Sequence, residues 1–88
     1  ICAYRDAVAA ELVLQHAIAN KAEQLPACKD RLEATISRWA AARDRGCKRS
    51  AAKAYGGGSL EPMAMSMCVQ HENEQMAKKV ERQRSCDR

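Results

Sequence analysis

Phenylalanine is absent from this chain, and its only aromatic residues are Tyr4, Trp39 and Tyr55. A core without large rings has to be aliphatic and methionine-rich. No apolar run approaches the roughly 20 residues that a membrane-crossing helix needs. Prolines are limited to Pro26 and Pro62, and three of the four glycines stand together at 56–58, so chain breaks are confined to two places. Alanine, by contrast, is abundant and charged residues make up 30% of the chain, a balance that favours amphipathic helices over sheets. At 88 residues the chain is long enough for one domain, read here as 1–88, and too short for a large core.

Cysteine supplies what the core does not. There are five, and four fall into two similarly spaced pairs on either side of the glycine turn: Cys28 and Cys47, then Cys68 and Cys86. Apolar periodicity predicts helices over about 2–24, 27–54 and 60–84. In the first, Ala7, Leu14, Ile18 and Leu25 share a stripe, with Tyr4 and Val8 alongside. Pro26 ends that helix and suits the first turn of the next. In the second, Leu32, Ile36, Trp39 and Arg43 lie in one narrow arc flanked by Cys28 and Cys47, with Gly46 a weak point. Gly56 is the expected left-handed cap, and Ser59 the expected N-cap of the third helix. Met65, Val69, Met76 and Val80 form the apolar stripe of that helix.

The fold class that follows is all-α: a small disulfide-stapled three-helix array, with helices two and three as an antiparallel hairpin. In such a hairpin Cys47 faces Cys68 and Cys28 faces Cys86, which predicts both bridges and an oxidising compartment. Cys2 is left over, either free or linking two chains into a homodimer. Gly56 to Ser59 also match a common flexible-linker pattern, although the flanking residues fit a natural turn. Because the chain begins at Ile1, it is read as a mature fragment whose export signal has been removed.

From Trp39 onward the chain resembles the lysozyme inhibitor LprI-like domain family. The residues that carry the resemblance are Trp39, Arg43-Asp44 and Cys47, then Tyr55, Gly57-Gly58-Ser59, Pro62-Met63 and Cys68. They match a W-x-x-x-R-D-x-x-C helix, a Y-x-G-G-S-x-x-P-M turn and a cysteine six residues further on. Past that cysteine the chain departs from the pattern, with Asn73 and Met76 where relatives place Thr and Arg. It also lacks the paired-cysteine opening of many relatives. The resemblance implies a small helical protein exported by bacteria, a Cys47–Cys68 bridge, and a cell-wall hydrolase as protein partner.

Several residues invite a chemical reading. Arg43 either projects its guanidinium toward a partner's carboxylates, or stacks on Trp39 or pairs with a carboxylate, its stem buried and its head wet. Met63, Met65, Met67, Cys68 and His71 are soft ligands of the kind that hold Cu(I), but side chains two apart on a helix diverge. His16 and His71 are isolated, and no nucleophile has a base at a defining spacing, so an enzyme is not expected and no cofactor is implied. The net charge of +4 admits an anionic partner. Its densest basic group, Arg43, Arg45, Lys48 and Arg49, has no aromatic platform beside it, which argues against nucleic acid.

The function expected is therefore that of a periplasmic or secreted inhibitor, or an immunity protein, that blocks a peptidoglycan-degrading enzyme. Its contact surface is expected at the braced turn, through Tyr55, Arg49, Lys53 and Ser59. A cationic chain suits an acidic hydrolase better than a cationic lysozyme. The alternatives are a structural, envelope-associated helical module and a periplasmic copper-binding protein.

Overall fold

The computed structural model describes the backbone from Cys2 to Cys86 and the side chains from Arg5 to Cys86. The expectations for Cys2, and the packing of Tyr4, lie outside the described side chains. Among the described residues there are three α-helices, α1 (Cys2–Gln24), α2 (Lys29–Tyr55) and α3 (Glu61–Arg82), with a short 3-10 turn at Pro26–Cys28. Leu25, just before Pro26, adopts φ −128° and ψ 71°, so the break falls where proline's clash with the preceding residue demands it. α2 runs unbroken through Gly46, which costs helix propensity without ending the helix.

Contacts between side chains define the topology. Glu11 meets Asn73, and Lys21 meets the main chain at Glu81 and Gln83. Both sequences ascend together, so α1 and α3 run parallel. Along α2 the order reverses: Cys28 joins Cys86, Arg43 meets Asn73 and Cys47 joins Cys68. These are the two cysteine pairs that the helix spacing sets opposite each other, with Cα–Cα separations of 5.3 and 5.6 Å. The array is elongated, 45 × 22 × 16 Å, because α2 alone spans about 40 Å at about 1.5 Å per residue.

The core is small and aliphatic. Leu14 and Ala17 of α1 pack on Met76, Ala77 and Val80 of α3, with Ile18, Ile36 and Trp39 closing its edges. Alanines at 10, 17 and 77 allow close approach, and α1 makes its main contact with α3 rather than with α2. Of the stripe expected on α3, Met76 and Val80 are buried while Met65 and Val69 are half-buried. Val8, expected beside the stripe of α1, is exposed.

The glycine turn differs in register from the sequence expectation. Gly56 has φ −49° and ψ 124°, and the left-handed residue is Gly57, at φ +78°. Those angles and the Gly58 N–H to Tyr55 oxygen bond of 2.8 Å make Tyr55–Gly58 a type II β-turn. Gly56 is needed for another reason: a Cβ there would stand 2.5 Å from the carbonyl oxygen of Ala52. Ser59 does not cap α3. Leu60 holds the cap position without a side-chain bond, and Glu61 instead reaches back, its Oε1 accepting the Gly57 N–H at 3.1 Å. The turn is thus closed from the α3 side by a carboxylate in that helix's first turn, where the helix dipole favours negative charge.

Candidate functional site

Two features stand out once the helices are placed: a polar knot inside the array and an exposed, covalently braced end. The knot centres on Asn73, which is 0% exposed. Its Oδ1 accepts from Arg43 Nη1 at 2.7 Å and its Nδ2 donates to Glu11 Oε2 at 3.0 Å. One side chain of α3 thereby ties α2 to α1. The Arg43 guanidinium also donates through Nε and Nη2 to Asp44 Oδ1, both at 2.9 Å. Its carbon lies 5.0 Å from the centroid of the Trp39 ring. The geometry has Arg43 both stacked on Trp39 and paired with the Asp44 carboxylate, but its head is not wet: the side chain is 12% exposed and the guanidinium also bonds Asn73.

Sequence reasoning missed Asn73 as a centre, since an asparagine within a helix carries no periodic signal. It also missed Lys21, which is 8% exposed and caps α3 by donating to the oxygens of Glu81 and Gln83. The one available signal was positional: Lys21 continues the stripe of Leu14 and Ala17, where a cation is out of place unless it is paired.

The braced end carries the expected contact residues. Tyr55 is 44% exposed, and Arg49, Lys53 and Ser59 are exposed as well. Arg49 and Lys53 stand four apart on α2 and share one outer face. At about 100° per residue, Tyr55 lies about a third of a turn around from Arg49. The structure therefore gathers these four residues at one end but does not converge them on one point. Beside them, Lys48, Ala51, Gly57, Gly58, Glu61, Pro62 and Met65 line a shallow hollow of about 500 Å³.

The soft ligands do not gather either. Met63 and Met67 are exposed on α3, whereas Met65 is half-buried and Cys68 is committed to its disulfide. Among the described residues no group of three His, Cys, Asp or Glu side chains could hold a metal ion. No helix among them is long and apolar enough to cross a membrane.

Fold and surface together define a small, disulfide-braced, all-helical protein in which, among the described residues, no buried polar side-chain atom is left without a hydrogen-bond partner. A family model described as lysozyme inhibitor LprI matches residues 2–80, and the chain belongs to that family. The match takes in α1 as well as the segment from Trp39 to Cys68 where the sequence resemblance is carried. Comparisons with curated proteins and with solved structures gave no match. By its description the family is one of inhibitors rather than of enzymes.

Proposed function

We propose that this protein is an exported inhibitor that binds and blocks a peptidoglycan-degrading enzyme. The target is a lysozyme, or an amidase or muramidase delivered by a competitor, in which case the protein confers immunity. The observation that carries the reading is the lysozyme inhibitor family match over residues 2–80. Two disulfides support a setting outside the cytoplasm, where such bonds persist.

An inhibitor has to present a rigid element to a concave active site, and the turn between α2 and α3 has that character. The Cys47–Cys68 bridge stands behind it, and Tyr55 offers an aromatic anchor of the kind enriched at interface hot spots. Ordering such an element on binding costs little conformational entropy. Arg49, Lys53 and Ser59 supply donors around it. A net charge of +4 favours an acidic hydrolase, because like-charged partners repel during approach.

The test is turnover of a cell-wall suspension by a panel of muramidases and amidases, cationic and acidic, with the oxidised protein added. Stoichiometric inhibition of at least one, strongest among the acidic members, is expected. Undiminished turnover by every enzyme at a large excess of the protein would refute the reading.

A further inference from the structure

A second hollow lies away from the turn. Between α2 and α3 runs a half-open groove of about 880 Å³, within the range of cavities that accept ligands. Its apolar lining is Leu32, Ile36, Trp39, Met76 and Val80. Its charged rim is Arg31, Lys78, Lys79 and Arg82, against the single carboxylate of Glu72. Three net positive charges therefore stand around one groove in a protein whose whole net charge is +4.

The groove is held open by covalent means. Cys86 is one of its lining residues, and the Cys28–Cys86 bridge fixes the two helices at that end. Cys47–Cys68 fixes them again nearer the turn, so α2 and α3 cannot slide to close the space between. Arg31 is positioned as well: its Nη1 donates to the Cys86 carbonyl oxygen at 2.7 Å. That bond spends one of five guanidinium donors and leaves the others for an incoming carboxylate.

The geometry points to this groove as a docking site for an acidic peptide segment of a protein partner, one that carries an aliphatic anchor between carboxylates. The anchor enters over Ile36 and Trp39 while the carboxylates meet Arg31, Lys79 and Arg82. Charge complementarity selects the partner's sign, and the apolar floor selects an anchored segment over a purely ionic one. This goes beyond the inhibitor reading, which places contact at the opposite end of α2, and it stands whether or not the partner is a hydrolase.

Trp39 is the sole tryptophan and lies in the groove, so its fluorescence reports occupancy directly. The oxidised protein is titrated with a tryptophan-free peptide in which glutamates flank a pair of leucines. The same peptide with lysines for glutamates, and phosphatidylglycerol vesicles, are titrated in parallel. A saturable change in Trp39 emission with the acidic peptide alone, weakened by salt, is expected. The double variant Lys79→Glu with Arg82→Glu, both exposed positions, should weaken binding about tenfold or more with helicity unchanged. No response to the acidic peptide, an equal response to the lysine peptide, a response confined to vesicles, or an unaltered affinity in the folded double variant would each overturn the proposal. Hydrolase inhibition is not measured in this experiment, so its failure would leave the inhibitor reading intact.

Discussion

The ammonium of Lys21 stands 2.7 Å from the main-chain oxygen of Gln83, so a side chain of α1 closes the end of α3. The last carbonyls of a helix have no partner within it, and a cation there also meets the negative end of the helix dipole. Lys21 reaches the Glu81 oxygen too, at 3.1 Å. Replacing Lys21 with Met keeps the apolar stem and removes the donor. The loss expected is about 1.5–3 kcal/mol, the range for a charged hydrogen bond, measured by urea unfolding. Unchanged stability would mean that the contact contributes nothing.

Asn73→Ala removes both halves of the knot at once. Arg43 and Glu11 then lose their shared partner, and destabilisation of about 1–3 kcal/mol is expected in chemical denaturation. Arg43→Lys should also weaken the fold, since an ammonium cannot stack on Trp39 and serve Asn73 and Asp44 together. If the Arg43→Lys protein proved as stable as the parent, the guanidinium would have no structural role.

The glycines should sort by backbone rather than by number. Gly46 is exposed within α2 with open space where a Cβ would stand, so Gly46→Ala is expected to stabilise by about 0.5–1 kcal/mol. Gly57→Ala forces a left-handed conformation on an L side chain and should destabilise by about 1 kcal/mol. Gly56→Ala meets the Ala52 oxygen and should also destabilise. Thermal melts of the three variants would check the signs.

Removing one disulfide while leaving the other tests how much each closed loop matters. By the chain-entropy model the Cys47–Cys68 loop of 21 residues contributes about 3 kcal/mol, and the Cys28–Cys86 loop of 58 about 4. Paired Cys→Ala variants followed by calorimetry should show both losses, with the longer loop the larger. A reversed order would point to residual structure in the unfolded chain.

At the turn, Tyr55→Ala and Arg49→Ala should each weaken binding to an inhibited hydrolase by about 1–3 kcal/mol and leave the thermal midpoint in place. Gln15→Ala and His16→Ala, on an exposed part of α1, should change neither. Calorimetric titration would decide. Loss of binding from the α1 variants alone would move the contact surface to that helix.

The helix boundaries were legible because proline, glycine clusters and 3.6-residue periodicity act locally, and α1 to α3 end within about two residues of where those signals put them. The disulfide pattern was legible because cysteines at helical spacing face one another in only one hairpin register. What stayed hidden depends on several elements at once. Whether Asn73 can be buried depends on Arg43 from one helix and Glu11 from another, and no window along the chain contains all three. The choice of α3 over α2 as the main partner of α1 likewise follows from small side chains meeting across two helices, a matter of packing rather than pattern. At the candidate site, sequence placed Tyr55, Arg49 and Lys53 at one end of α2 and, at about 100° per residue, already set Tyr55 apart from Arg49, but did not set the register of the turn that carries Ser59.

The two bridges enclose the turn twice, since residues 47–68 form a loop inside the loop of residues 28–86. A protease that cut the exposed glycines at 56–58 would break the chain without separating its pieces. Both halves of the hairpin would remain joined at two points, and a nick there would run as one molecule until thiol was added. Neither bridge reaches α1, which is held to the rest by Glu11, Leu14, Ala17 and Lys21 and by one loop at Leu25–Pro26. In surroundings rich in proteases, a single cut ahead of Cys28, as at exposed Pro26 and Ala27, therefore leaves α1 with no covalent tie to the hairpin.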